Sequence, residues 1–167
     1  MLEVFSKIKK FMRLDMQRRT LLIEAFFYLG RARYLKLLPF EKIAPSLGEQ
    51  STETSINSSI HNQMITDVSY AVITASKHTL WDSSCLVQAI AATRMLNKRK
   101  IESTLYMGIA RDEDGSMIAH AWVRSGSLYV TGAETMNKFT VVKTFAKGPI
   151  YKKGFSSNQD NHRKMGN

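Results

Sequence analysis

The stretch that decides the fold is LWDSSCLVQAIAATRML, residues 80–96, which holds the only cysteine of the chain, Cys85. The alanine-rich apolar run behind the thiol predicts a helix that ends near Asn97. Asp82 is a good N-cap residue, and the two serines after it would then occupy the first turn, which puts Cys85 at about the third helical position. Unpaired backbone N–H groups and the positive end of the helix dipole favour a thiolate there and can bind an oxyanion. The alternative is a cysteine that only fills space in the core.

Length and composition predict one ordinary domain of 167 residues with enough apolar side chains for a real core. A single cysteine excludes an internal disulfide, so nothing indicates an oxidising compartment. The most apolar stretch, residues 21–30, is short and contains Glu24, and it therefore cannot span a bilayer. We expect a soluble, cytoplasmic protein that does not associate with a membrane.

The net charge of +10 is concentrated at the two ends of the chain. Residues 1–47 carry ten Lys or Arg and four acids, residues 138–167 carry seven and one, and the middle carries seven and nine. Such ends suit an acidic partner surface, a peptide or a membrane face, or they serve only to keep the protein soluble. They do not form the Arg- and aromatic-lined groove that base readout needs, so no nucleic-acid partner is expected.

The order of elements predicts an α+β domain, with N-terminal helices followed by an antiparallel β-meander. Residues 5–14 and 18–38 have the pattern of basic amphipathic helices, Pro39 ends the second, and residues 40–50 are predicted to be a connector. A third helix is expected over about 57–76. Short β-rich segments separated by turn sequences then follow, at residues 103–111, 117–125, 128–132 and 139–146.

A histidine stands in the centre of the second of these strands, in the sequence AHAWV. Strand alternation puts His120 and Trp122 on one face. A buried imidazole needs a polar partner, which is either an ordinary core partner or the Cys85 thiol, and the thiol would make a Cys–His couple oriented by a third group. Glu134 is the acidic candidate for that group, and Thr131 is a weaker alternative.

Other site types lack the residues that they need. The histidines His61, His78 and His120 show no metal-ligand spacing with Cys85, and one thiol cannot build the usual structural zinc clusters. No Gly-rich phosphate loop is present in the sequence. We therefore expect neither a metal nor another cofactor.

Three motifs taken together resemble one known family. They are W-x-x-x-C-L-V-Q-A-I-A-A (81–92), L-x-x-G-I-A-R-D (105–112) and A-H-A-W-V (119–123), and in this order they look like the B2 proteins of lasso-peptide biosynthesis. That family belongs to the transglutaminase-like, papain-like cysteine protease superfamily, and the resemblance extends over roughly residues 20–147.

The resemblance implies a transglutaminase-like fold and a leader peptidase that cuts a precursor peptide at the leader–core junction. Carried over residue by residue, it makes Cys85 the nucleophile and His120 the general base and then the acid. The family usually has an aspartate on the following strand, and this sequence has none there. The third role is thus left to Glu134, to Thr131 or to a backbone group. Trp81 and Trp122 would line the substrate site, although packing in the core explains the presence of both tryptophans equally well.

The family occurs with a PqqD-like leader-binding domain fused at the N-terminus or as a separate B1 protein. The first 80 residues lack the alternating strands of such a domain, so the resemblance implies the split format and a need for B1. The chain then divides into a helical N-terminal region (1–76), a transglutaminase-like catalytic core (77–148) and a flexible basic tail (149–167). The expected partners are the precursor peptide, B1 and, through the basic ends, the lasso cyclase.

Two other functions fit the same residues. One is a transglutaminase-like acyltransferase, which uses the same Cys–His couple with an amine as the acceptor. The other is a non-catalytic basic adaptor that binds a membrane, a nucleic acid or a partner enzyme.

Overall fold

The computed structural model describes residue 9, residues 11–57 and residues 60–148. In this part of the chain the helices come first, and four of the five strands of one antiparallel sheet follow them. This order confirms the α+β class. The helices are α1 (Met16–Lys36), α2 (Phe40–Leu47), α3 (Asn62–Ser76) and α4 (Cys85–Lys98). The strands are β1 (Glu49–Gln50), β2 (Ser103–Arg111), β3 (Met117–Ser125), β4 (Leu128–Thr131) and β5 (Thr140–Lys147), and a 3₁₀ helix, Met136–Lys138, precedes β5. None of the described helices combines the length and the hydropathy needed to cross a membrane.

The sheet has the order β1-β5-β2-β3-β4, and all its neighbours are antiparallel. Strands β2, β3 and β4 form the predicted meander. The predicted turn between β2 and β3 is closed by a hydrogen bond from the Gly115 N–H to the Asp112 carbonyl, 2.9 Å long. Strand β5 does not extend the meander at β4, because it crosses back and pairs with β2.

Helices α2, α3 and α4 pack on the sheet, and α1 packs on α3 and α4. Helix α1 buries Leu21, Ala25, Leu29 and Ala32, which recur at helical spacing. The alanine-rich side of α4 allows close packing on the apolar residues that alternate along the strands. These strand residues include Leu105, Ala121, Val123 and Phe145.

The other face of the sheet is covered by the extended segment 51–57. Arg124, which is only 6% exposed, holds this segment in place. Its Nη2 donates to Glu53 Oε2 at 3.0 Å and to the Thr54 carbonyl at 3.1 Å. Arg124 Nε also donates to the Tyr106 hydroxyl at 2.9 Å. The segment is therefore held as a cover over Tyr106 and Arg124, because Glu53 also accepts from the Tyr106 hydroxyl at 2.7 Å.

Two predictions about the helices are wrong. Residues 40–47 are a helix instead of a connector, because Ile43 and Leu47, one turn apart, are buried against the rest of the fold, and this packing outweighs Pro45 inside the helix. Helix α3 begins at Asn62 instead of near residue 57. Of the helix predicted over 5–14, residues 9 and 11–14 are described: residues 9, 11 and 12 are helical, and residues 13 and 14 are not. The tail 149–167 lies outside the described residues.

Candidate active site at the start of helix α4

Cys85 is the first residue of α4, and the prediction that it stands at the third helical position is wrong. The N-cap position belongs to Ser84, whose side chain makes no capping hydrogen bond. Asp82 does not cap the helix, because its carboxylate pairs with two cations of α1: Lys36 Nζ at 3.2 Å and Arg33 Nη1 at 3.7 Å.

The turn that leads into Cys85 is held by side chains from both sides. Lys36 Nζ donates to Ser84 Oγ at 2.9 Å, in addition to its contact with Asp82. From inside α4, Gln88 Nε2 donates to the Ser83 carbonyl at 2.8 Å. These bonds fix the backbone directly ahead of the thiol.

The backbone around the thiol offers free hydrogen-bond donors. The first bond of the helix runs from the Gln88 N–H to the Ser84 carbonyl, 3.0 Å long. The N–H groups of Cys85, Leu86 and Val87 therefore have no acceptor within α4. Since the thiol is half-buried at the same end, these amides are suited to hold an oxyanion that forms beside the sulfur.

The imidazole of His120 is fixed by two aromatic rings and one carbonyl. Its ring centroid lies 5.9 Å from that of Trp122 and 5.0 Å from that of Phe139. His120 Nε2 lies 2.8 Å from the carbonyl oxygen of Gly132, and Thr135 Oγ1 is 3.4 Å from the same nitrogen. Because a carbonyl oxygen can only accept, Nε2 carries the proton of the neutral ring, and Nδ1 keeps a lone pair. His120 thus has one nitrogen anchored and one available as a base.

The two side chains predicted for the third role do not contact the imidazole. Glu134 is exposed and makes neither a hydrogen bond nor an ion pair with His120. Thr131 is buried, and its hydroxyl has no hydrogen-bond partner in the described part of the chain. The group that contacts the imidazole is instead the carbonyl of Gly132, the residue after β4.

The thiol and the imidazole stand on elements that pack together. Ala121, the neighbour of His120, is 2% exposed and belongs to the core on which Cys85 also packs. No hydrogen bond joins Cys85 Sγ to His120. His120 itself stacks on Trp122, on the face of β3 opposite to Ala121 and Val123. The structure therefore places the imidazole on the other face of this strand from the core on which the thiol packs, and does not join the two groups.

The two tryptophans occupy different surroundings. The Trp81 ring packs on α1, 5.0 Å from Phe26 and against the backbone of Gly30, and its indole N–H is buried without a hydrogen-bond partner in the described residues. Trp122 is 4% exposed and stacks on Tyr106 at 5.5 Å. A substrate-binding role for either ring stays a prediction.

Sequence reasoning did not name three residues that contact the candidate site, Lys36, Gln88 and Gly132, although it left a backbone group as one alternative for the third role. Gln88 follows Cys85 closely in the chain, so its position near the start of α4 was the only local signal. Lys36 is 48 residues from the serine that it contacts, and Gly132 acts through its backbone, which leaves no side-chain signature.

Comparison with known proteins gives a family but no individual relative. No curated protein and no solved structure matches the chain. A family model described as "Transglutaminase-like superfamily" matches residues 26–144, from the middle of α1 into β5, and includes both Cys85 and His120. That superfamily contains cysteine peptidases and acyltransferases. Since the match covers well over half of the sequence, the chain belongs to the transglutaminase-like superfamily.

Proposed function

We propose that this protein is a cysteine peptidase that removes the leader peptide from a lasso-peptide precursor, acting with a separate leader-binding B1 protein. The observation that carries the peptidase chemistry is the place of Cys85 at the first residue of α4, beside three N–H groups without helical acceptors. The precursor class rests on the resemblance of the three motifs around Cys85 and His120 to the B2 proteins.

The proposed reaction is acyl transfer to water in two steps. The Cys85 thiolate adds to the carbonyl carbon of the last leader residue, and the amides at the start of α4 hold the oxyanion. Collapse of this adduct breaks the C–N bond, while the His120 imidazolium gives its Nδ1 proton to the departing amine of the core peptide. A water molecule then loses a proton to Nδ1 and attacks the thioester, which releases the leader as a carboxylic acid and restores the thiol.

Gly132 has the orienting role in this scheme. Its carbonyl holds the Nε2–H of His120, so the ring presents Nδ1 in both steps. The thiol and Nδ1 must come within hydrogen-bond distance when substrate is bound. In the structure the imidazole lies on the face of β3 opposite to the core on which Cys85 packs, so the proposed reaction requires His120 or the start of α4 to move when substrate binds.

The need for B1 rests on the resemblance to the split format of the B2 proteins. Over residues 11–57 and 60–80 the structure contains helices and one two-residue strand, β1, which is part of the main sheet. On the strength of the same resemblance we propose that recognition of the leader lies mainly in the partner.

Cleavage of a precursor peptide in the presence of B1 tests the proposal. Cys85→Ala and His120→Ala should each reduce cleavage by about a thousandfold or more, and the double variant should be no worse, because the two groups act as one unit. His78→Ala, a change at an exposed histidine, is the matched control and should cleave normally. A Cys85→Ala protein that still trims the precursor would end the assignment.

An amide acyltransferase is the second candidate, because the superfamily contains acyltransferases and the same thiol and imidazole would serve. The two reactions diverge only when the thioester is resolved. Mass spectrometry of the leader fragment, in the presence of a primary amine, separates them. A free carboxyl group supports the peptidase, and an amide supports the transferase.

A further inference from the structure

Helix α1 has a row of apolar side chains on the side that faces away from the core. Its exposed members include Ile23 at 50%, Phe27 at 71% and Tyr34 at 66%. With the other residues at the same spacing they form what we term the α1 seam: Met16, Thr20, Ile23, Phe27, Gly30, Tyr34 and Leu37. Thr20 and Gly30 interrupt the row, but the large apolar side chains still lie exposed together on one helix face, which indicates an interaction surface.

The spacing of the α1 seam indicates the shape of what covers it. Its members alternate at intervals of four and three residues, the repeat by which one helix packs along another. The core-facing residues of α1, Leu21, Ala25, Leu29 and Ala32, form a separate row. The 21-residue helix is about 32 Å long, which is enough for several turns of a second helix.

The charges beside the α1 seam indicate the sign of the partner. Arg19 and Arg31 lie on its two sides, and neither makes an ion pair with a described residue. The one acid in the middle of α1, Glu24, is already held by Arg99 at 2.6 Å and Lys98 at 3.1 Å. A partner helix would therefore meet unopposed positive charge on both flanks.

We propose that the α1 seam docks an amphipathic helix of a partner protein, with apolar residues in the contact and acidic residues on its flanks. A second copy of this chain would oppose arginine to arginine. Residues 1–10 carry three lysines and one glutamate and have the same unfavourable sign. The inference does not depend on the reaction proposed above.

A partner at this place would lie beside the candidate active site. Gly30, in the middle of the α1 seam, contacts Trp81, and Lys36 at the end of α1 holds Ser84. The partner helix would thus pack next to the turn that positions Cys85.

Binding of two designed helical peptides to the full-length chain tests the proposal. Both peptides have leucine at the same four–three spacing, and they differ only in carrying glutamate or lysine on the flanks. Measured by fluorescence anisotropy, the acidic peptide should bind at least about tenfold more tightly than the basic one. Phe27→Ser and Tyr34→Ser should each weaken that binding by about fivefold or more. Tyr129→Ser and Val142→Ser, at exposed positions on the sheet, are the matched controls and should leave it unchanged.

Circular dichroism and thermal unfolding of each variant show that the fold is kept. Absence of binding, or equal binding of the two peptides, would overturn the proposal. A chain that is dimeric by light scattering and becomes monomeric with Phe27→Ser would show that the occupant is a second copy. Tighter peptide binding after deletion of residues 2–10 would show that the N-terminal segment of the same chain competes for the surface.

Discussion

His120 Nε2 lies 2.8 Å from the carbonyl oxygen of Gly132, so a backbone group orients the imidazole. Gly132 has a φ of +73°, and a Cβ there would lie 2.6 Å from the Ala121 carbonyl oxygen and 3.1 Å from His120 Nε2. The residue that presents the carbonyl must therefore be a glycine, both for its backbone angle and for the space around it.

Gly132→Ala is expected to displace the carbonyl from the ring. The left-handed backbone and the short contacts should lower the free energy of unfolding by about 1–3 kcal/mol. Because the ring loses the partner that fixes its tautomer, cleavage of the precursor should fall by at least about tenfold. Urea unfolding and the cleavage assay measure the two effects on the same preparation.

Gly115→Ala is the matched control for this change. Gly115 also has a positive φ, +82°, but nothing lies within 4 Å of a Cβ placed there. This variant should show only the backbone strain and should cleave at the normal rate. If Gly132→Ala also cleaves normally, the Gly132 carbonyl has no part in the reaction.

The sequence predicted the elements whose signals are local. The strand that carries His120 runs from Met117 to Ser125, as its alternation and the turns around it indicated. The thiol stands at the start of a buried helix, because the polar turn and the alanine-rich run are adjacent in the chain. In both cases the residues that determine the structure lie within one element.

The features that were missed depend on contacts between distant parts of the chain. Asp82 is a good cap by residue type, but Lys36, 46 residues earlier, competes for its carboxylate, and the helix starts later. Helix α2 forms through burial of Ile43 and Leu47, which the presence of Pro45 obscures. The contact of Gly132 with His120 arises only when β4 pairs with β3.

Lys36→Met is expected to loosen the turn ahead of Cys85. The variant keeps the length of the side chain but loses the bonds to Asp82 Oδ2 and Ser84 Oγ. Cys85 should then react with iodoacetamide about three- to tenfold more slowly, since a cation and a fixed backbone near the thiol are both lost. The rate is measured by mass spectrometry of the alkylated chain.

Lys42→Met is the control for Lys36→Met, because Lys42 is an exposed lysine of α2 with no side-chain hydrogen bond in the described structure. Its alkylation rate should equal that of the unchanged protein. Equal rates for both variants would mean that Lys36 does not influence the thiol. A Cys85 that reacts no faster than a free thiol in the unchanged protein would favour the adaptor function.

Arg124→Lys is expected to release the cover over the sheet. The buried guanidinium donates to Tyr106, Gly126, Glu53 and Thr54, and a lysine cannot reproduce this planar set of bonds. Loss of several buried bonds should cost about 2–4 kcal/mol of unfolding free energy. Trp122 stacks on Tyr106, which accepts one of these bonds, so the fluorescence of Trp122 should shift towards that of a solvated indole.

Tyr106→Phe measures what the Tyr106 hydroxyl contributes to this hydrogen-bond network. It removes a single hydroxyl and should cost about 1 kcal/mol. Burial, followed by the hydrogen bond to Glu53, raises the pKa of Tyr106. The neutral phenol is thus favoured in the folded state, and its contribution is lost as the pH rises above about 10. An Arg124→Lys protein as stable as the unchanged one would show that the cover is held by packing alone.

Glu24 joins α1 to the end of α4 through its ion pairs with Lys98 and Arg99, which we term the clamp. Glu24→Gln is expected to weaken this clamp in a pH-dependent way. Burial by itself would raise the pKa of Glu24, but the hydrogen bonds and charges of Arg99 and Lys98 outweigh it and hold the pKa below its usual value. The ionised carboxylate therefore stabilises the fold above the ordinary glutamate pKa, about 4.3, and this contribution is lost as the pH falls through the lower folded value. At pH 7 the variant should lose about 1.5–3 kcal/mol of unfolding free energy, and the difference should shrink towards pH 3.

Urea unfolding at several pH values between 7 and 3 measures this difference for Glu24→Gln and for a control, Glu113→Gln. Glu113 is exposed in the turn between β2 and β3, and its carboxylate makes no ion pair in the described structure. The control should match the unchanged protein at every pH, because an exposed carboxylate without an ion pair makes no folded-state contact that protonation would remove. A Glu24→Gln deficit that stays constant from pH 7 to pH 3 would contradict the clamp, since only a loss of packing is independent of protonation.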